Sequence, residues 1–309
     1  MDQKVNGDVW QGRVDDAQDF DSFRYHQIVQ SSALAKPCDI GLIGFLCDEG
    51  VRRNFGRVGA KHAPTALRQQ LASIPWRGGK QTVVDFGDII CEQTEMEYAQ
   101  QELGEKVAGI LTTGVAIILG GGHEAVYGQY LGVRQAVGPY ASIGLLNIDA
   151  HFDLRPYDKE PSSGTMFKQI LDKDENVHYF VCGIQRYGNT TALFKEAARL
   201  NVTYFLDEEL SSAKFKQSLQ HFLNAHDVLL VSLCMDVINV TEAPGVSAPS
   251  PFGLQARDVR HLVRQIMIYE KATSFSICEV NPLLDSNSQT AKLAAAFTNE
   301  AIMSSLQKM

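Results

Sequence analysis

Apolar residues in this chain come in short unbroken runs separated by longer amphipathic stretches, and the alternation continues over nearly the whole length. The runs fall at residues 40–47 (IGLIGFLC), 82–86, 115–119, 142–148, 178–183, 202–206, 228–235 and 273–280. They are rich in Val, Ile and Leu and mostly continuous, the pattern of strands covered on both faces in a parallel sheet. Between them, residues 96–111, 124–137, 191–200, 214–225 and 256–269 carry helical spacing. In the last of these, Val259, Leu262, Val263, Ile266 and Ile268 fall close to one face. About eight strands alternating with helices predict one doubly wound α/β domain with a mostly parallel central sheet. A length of 309 residues would by itself suggest two domains. No Pro- or Ser-rich linker, repeat or low-complexity tract interrupts the pattern, however. The expectation is an N-terminal extension over residues 1–35 and a single α/β domain over residues 36–309.

Composition narrows the function classes. Lys+Arg 28 against Asp+Glu 36 leaves a net charge of −8, which disfavours a dedicated nucleic-acid binder. Hydrophobic residues at 45% and charged residues at 21% exclude a largely disordered chain. No apolar run reaches the roughly 18 residues of a membrane span. The polar, acidic beginning (MDQKVNGDVWQGRVDDAQDF) lacks the apolar core of a signal peptide. Cys38, Cys47, Cys91, Cys182, Cys234 and Cys278 are scattered, several inside apolar runs. That usage reads as reduced thiols of a cytoplasmic protein.

In open α/β sheets, ligands collect at the carboxyl ends of the strands. After the run at 115–119 comes GGGHE, where three glycines permit a tight turn that can aim His123 into a crevice. After 142–148 comes DAHFD; in an extended segment Asp149, His151 and Asp153 share one face. Two carboxylates and an imidazole suit a hard-to-borderline divalent cation such as Mn²⁺ better than a structural Zn²⁺. After 228–233 comes CMDVIN, with Asp236 able to complete a metal site and Cys234 two residues earlier on the same face. Taken alone, Cys234 reads as a small buried apolar residue. Pro244, Gly245, Pro249 and Pro251 mark a stiff loop that shapes a pocket, and EVNPLLD places Glu279 near the carboxyl edge of the last strand.

Four strand ends thus supply, in order, His, Asp-x-His-x-Asp, Asp and Glu. The set resembles the arginase–agmatinase–formimidoylglutamase family of ureohydrolases over residues 39–293. GGGHE, NIDAHFD and VSLCMDVIN are similar to its GG-x-H, DAHxD and S-x-D-x-D-x-x-D boxes. GRVGAKHAPTALR, VVDFGDI, SSGTMF and CEVNP add support. The resemblance implies a three-layer α/β/α fold and a di-manganese site that hydrolyses a C–N bond of a guanidine or amidine. It further implies that His123, Asp149 and Asp153 hold one metal, that Asp149 and His151 hold the other, and that Asp149 bridges them. The third box departs from the pattern. Its first, bridging Asp aligns with Cys234 and its third with Asn239, while Asp236 remains. A thiolate can ligate or bridge, because coordination deprotonates the thiol. Two Mn²⁺ are expected from the family, and one if Cys234 stands aside.

Within the family the chain is most similar to the formimidoylglutamase branch, through CDEGVRRNFGRVGAKHAP, GIQRYGNTTALF, APGVSAPSPFG and CEVNPLLD. This implies a small-molecule substrate with a cationic amidine at one end and two carboxylates at the other. Glu279 aligns with the family glutamate that faces the cation, a charge-assisted pairing. Arg52, Arg53, Arg57 and Arg186 fall in predicted loops after strands, and guanidinium suits bidentate carboxylate recognition. Arg57 and Arg186 are the preferred pair. Asp153 is expected to act on the water as well as to ligate, and the general acid is left open. The competing readings are an agmatinase or guanidinobutyrase, and a metal-impaired homologue with a binding or regulatory role. Assembly into a homo-oligomer is possible.

Overall fold

Each continuous apolar run becomes a strand of one parallel sheet, and the amphipathic stretches become the helices that cover it. The structure is a computed structural model describing residues 9–32, 36–158 and 160–308. The strands are β1 (Gln30–Ser31), β2 (Ile40–Leu46), β3 (Val83–Ile90), β4 (Val115–Leu119), β5 (Ile143–Ile148), β6 (Val177–Ile184), β7 (Thr203–Leu206), β8 (Val228–Cys234) and β9 (Ala272–Cys278). Their order is β1-β3-β2-β4-β9-β8-β5-β6-β7, and every pairing is parallel. The expected count of eight becomes nine because β1, two residues long on the sheet edge, is too short to carry a hydrophobic period.

The helices are α1 (Tyr25–Ile28), α2 (Glu49–Arg53), α3 (Ala63–Ala72), α4 (Met96–Ile110), α5 (Ala125–Val137), α6 (Met166–Leu171), α7 (Thr191–Arg199), α8 (Ala213–Ala225), α9 (Ala256–Met267) and α10 (Gln289–Leu306). One face of the sheet is covered by α3, α8, α9 and α10, whose Leu67, Leu219, Val263 and Phe297 share a core with Ile117 and Val231. The other face is covered by α4, α5, α6 and α7, through Leu103, Val133, Phe167 and Ala197. Burial of every residue of β4, β5 and β8 follows from this double cover and explains their unbroken apolar runs. The single domain and the three layers expected from the sequence are therefore present.

Residues 1–8 and 33–35 of the expected N-terminal extension lie outside the described residues. The remainder is built into the domain: Trp10 and Tyr25 are buried in the core, and β1 pairs with β3. Trp10 Nε1 donates to Asp85 Oδ2 at 2.8 Å. The same carboxylate receives Arg68 Nε at 2.7 Å and Arg68 Nη2 at 2.9 Å, while Arg68 Nη1 reaches Asp88 Oδ1 at 2.6 Å. Arg68 is 1% exposed and Asp85 fully buried. This ion pair clamps α3 and the N-terminal segment to β3. No helix among the described residues is long and apolar enough to cross a membrane.

Candidate metal centre

The four strands that carry the expected donors are neighbours. β4, β9, β8 and β5 lie side by side, with Leu119 opposite Ile277, Cys234 opposite Cys278 and Ile148 opposite Leu233. The register brings their carboxyl ends level. The chain leaves β4 for β5 three positions away and later fills the two-strand gap with β8 and β9. Such a switch opens a crevice above the strand ends.

Close packing dictates the residues around the turn after β4. A Cβ on Gly121 would lie 1.9 Å from the Cys47 carbonyl oxygen, so no side chain fits there. The Glu279 N–H donates to the Gly121 carbonyl at 2.9 Å, and Glu279 Oε1 accepts the His123 N–H at 2.9 Å. This reciprocal clip fastens the end of β9 to the glycine turn and fixes both His123 and Glu279. Glu279 and Asp153 have φ of +69° and +51°. Left-handed backbone at a residue with a Cβ is disfavoured and persists only where the surroundings impose it.

The donors converge from both sides of the β8–β9 pair. His123 Nδ1 lies 2.8 Å from Asp153 Oδ2 and 3.1 Å from Asp149 Oδ2, while its Nε2 sits 2.9 Å from Ser232 Oγ. His151 Nδ1 lies 3.2 Å from Asp236 Oδ2 and 3.5 Å from Asp149 Oδ1. Two sets of potential ligand atoms each fall within 4.8 Å of one another: His123, Asp149 and Cys234, and Asp149, His151 and Asp236. Asp149 belongs to both. Asn147 Nδ2 donates to Asp149 Oδ2 at 3.0 Å and the His151 N–H donates to Oδ1 at 2.8 Å, orienting the shared carboxylate.

The donor set fits a divalent cation on electrostatic grounds. Asp149, Asp153, Asp236, Glu279 and Glu124 crowd one region, and among the described residues none pairs with Lys or Arg. Asp236 Oδ1 is buried without a hydrogen-bond partner among the described residues. Burial, with Glu124 and Asp236 beside it, pushes the Glu279 carboxyl up to about 8. Burial also raises Asp153, aided by Asp149. Burial opposes the His123 imidazolium, yet the Asp149 and Asp153 carboxylates outweigh it and hold its pKa at about 10. Burial also raises the Cys234 thiol, and Asp149 adds to this. Protons thus partly neutralise the metal-free cluster, and a cation would replace them.

That proton content has a measurable consequence. His123 moves from 6.5 to about 10 and Glu279 from 4.5 to about 8, so both bind protons more tightly when folded. Each contribution is complete below the unfolded value and is lost as pH rises through the folded one. The thermal midpoint of the metal-free protein is therefore expected to fall between pH 7 and pH 10. A scanning-calorimetry series in chelator checks it, and a midpoint that climbs across that window would contradict these assignments.

A cavity of about 300 Å³ opens above the donors, lined by His123, His151, Asp153, Cys234, Asp236 and Glu279 at its floor. Arg57, expected at the substrate end, lies at its mouth, with Nε donating to the Ser247 carbonyl and Nη2 to the Val246 carbonyl. Arg186 is not among the lining residues; it is exposed and faces Glu208 at 3.5 Å. The other two arginines are engaged at α2: Arg52 pairs with Glu49, and the half-buried Arg53 pairs with Glu49 and Glu97. Asn239 also stands apart, its side chain bonded to Pro251 and Thr241 as a brace of the loop. The cation missed from sequence is Arg155. It lines the mouth, and its guanidinium has no hydrogen bond or ion pair among the described residues. Its place two residues after the DAHFD box was the available signal. Asn54, Ser163, Asn189 and Ser247 complete the polar wall.

Comparison with known proteins adds independent findings. A model of the arginase family matches residues 38–304. Among curated relatives, the formimidoylglutamase of Lysinibacillus sphaericus (strain C3-41) is 50% identical over 304 residues, covering 95% of this chain and 94% of the relative. That of Staphylococcus aureus (strain MRSA252) is 41% identical over 297 residues, covering 93% and 95%. Among solved structures, a formimidoylglutamase from Bacillus subtilis subsp. subtilis str. 168 superposes with a TM-score of 0.85 at 22% identity, covering 96% of each chain. A Trypanosoma cruzi formiminoglutamase with Mn²⁺ gives 0.84 at 22% identity, covering 94% of this chain and 100% of that one. At that identity the two solved structures speak for the fold.

Proposed function

The chain belongs to the arginase family, and from that premise we propose that it is a manganese-dependent formimidoylglutamase. The reaction is hydrolysis of N-formimidoyl-L-glutamate to L-glutamate and formamide, a step of histidine degradation. The observation that carries the reading is the polarity of the cavity, with donor sets and Glu279 at its floor and Arg57 and Arg155 at its mouth. A ligand that fits it has a cationic C–N group at one end and carboxylates at the other.

Two cation positions would share Asp149. His123, Asp149, Asp153 and Cys234 would hold one ion, and Asp149, His151 and Asp236 the other. The replacement of a carboxylate by Cys234 keeps an anionic donor in the first position, since a coordinated thiol is a thiolate. Manganese, when bound, supplies Lewis acidity and lowers the pKa of water, so that hydrolysis proceeds at neutral pH. The chain's own groups do the rest. Glu279 has one oxygen committed to the His123 N–H. Its other oxygen pairs with the amidinium, which favours the ionised carboxylate despite burial. Asp153 accepts a proton from the attacking water. Arg57 and Arg155 hold the two substrate carboxylates and so fix the amidine carbon over the donors.

Two predictions bear on this assignment. Formamide release should be at least tenfold faster, in kcat/KM, than urea release from agmatine, which lacks the carboxylates. Preferential hydrolysis of agmatine would replace the substrate assignment with an agmatinase. Arg57→Ala should raise KM for N-formimidoyl-L-glutamate by ~10-fold, about the worth of one charge-assisted pair, with kcat within about twofold. A KM unchanged in Arg57→Ala and in the Arg57→Ala/Arg155→Ala double variant would remove the arginines from substrate recognition.

A further inference from the structure

We infer that Phe55 is a substrate-contacting, specificity-determining residue, whose ring covers the aliphatic part of the bound amidine at the cavity mouth. The inference rests on the functional reading above for the class of ligand, and on the local backbone for the residue.

Helix α2 ends in a pattern whose requirements are well defined. The Phe55 N–H donates to the Arg52 carbonyl at 3.0 Å and the Gly56 N–H to the Val51 carbonyl at 2.8 Å. Asn54 is the C-cap, so these are the paired 5→2 and 6→1 bonds of a Schellman motif. The residue after the cap must then be left-handed, and glycine is the usual occupant. Phe55 is left-handed, with φ +60°. The sequence reads Asn54-Phe55-Gly56, so a glycine is present one position too late to serve. Local backbone energetics therefore favour glycine at 55 over the aromatic residue that stands there.

Packing does not account for the phenylalanine either. Phe55 is 99% exposed, the highest value among the large apolar residues described. An aromatic ring held wholly in water by disfavoured backbone has no role in the fold as it stands. It does have a position: Phe55 lines the cavity mouth between Asn54 and Arg57, with Leu193 also on the wall. A substrate with its amidinium at Glu279 and its carboxylates at Arg57 and Arg155 carries its methylene groups past this level. Seated there, the ring meets the methylenes and shields the neighbouring charge pairs from water, which strengthens them.

The test compares Phe55→Gly and Phe55→Tyr with the parent, all loaded with Mn²⁺. Assays use N-formimidoyl-L-glutamate, agmatine and 4-guanidinobutyrate, and KM is read on whichever amidine the parent turns over best. Phe55→Gly should melt at the parent's temperature or up to ~2 °C above it, since the left-handed backbone is relieved. Its KM should nevertheless rise ~5–10-fold with kcat within about twofold, the scale of a lost methylene-sized contact. Phe55→Tyr keeps the ring and should restore KM to within about twofold of the parent. An unchanged KM in Phe55→Gly, or a melting temperature lowered by several degrees, overturns the inference. A parent that prefers agmatine would instead overturn the substrate assignment, with the KM ratio still deciding the role of the ring.

Discussion

Asp149→Asn is expected to lower turnover of N-formimidoyl-L-glutamate by roughly 10³-fold or more, the scale of a lost metal centre. Asp149 is the one residue common to both donor sets, so a single substitution weakens both positions together. The amide keeps one acceptor oxygen but places an NH₂ either where Oδ2 receives Asn147 Nδ2 and faces His123, or where Oδ1 accepts the His151 N–H. Asp236→Asn touches only the set containing His151 and should cost less activity. Metal content per chain, measured by elemental analysis after removal of free Mn²⁺, should fall in the same order. Parental turnover and metal content in Asp149→Asn would contradict the assignment of the centre.

The largest effect on stability is expected at Arg68, far from the donors. Arg68→Met leaves Asp85 fully buried with, among the described residues, only Trp10 and the Gly87 N–H as partners, and Asp88 without its cation. Removing one partner of a buried ion pair costs about 3–5 kcal/mol, because the remaining charge is uncompensated. Against a total stability of about 5–15 kcal/mol this is severe, and the melting temperature should fall by roughly 10 °C. Trp10→Phe removes one hydrogen bond from the same carboxylate and should cost only about 1 kcal/mol. Equal losses in the two variants, in denaturant unfolding, would mean that Arg68 contributes packing and not charge compensation.

The central strands were legible in the sequence because each is covered by helices on both faces, which forces continuous apolar runs. The donor candidates were placed in the sequence by the i, i+2 spacing of an extended segment, whereas the structure brings Asp149, His151 and Asp153 together on a bend beyond β5, with Asp153 left-handed. Helix α10 was not legible, because it is alanine-rich and packs on several sides, leaving weak amphipathic spacing. Helix α2 is only five residues long and carries its arginines on ion pairs, so Arg52 and Arg53 looked like loop cations. That Arg155 and not the expected Arg186 lines the cavity is a matter of tertiary geometry. The cavity mouth is built from loops around residues 55, 155, 189 and 247, which no local spacing relates.

Cys234 is where the sequence and the structure inform each other most. Alignment with the family boxes put a cysteine in place of a carboxylate, and its burial alone would equally suit an inert thiol. Its position within 4.8 Å of ligand atoms of His123 and Asp149 favours a donor role.

The most direct measurement is a titration of chelator-stripped protein with Mn²⁺, following formamide release from N-formimidoyl-L-glutamate and bound metal in the same samples. The stripped protein should show no turnover, and activity should rise with bound metal and saturate at two ions per chain. Full turnover by protein with less than about one-tenth of an ion per chain would contradict a metal-dependent mechanism outright.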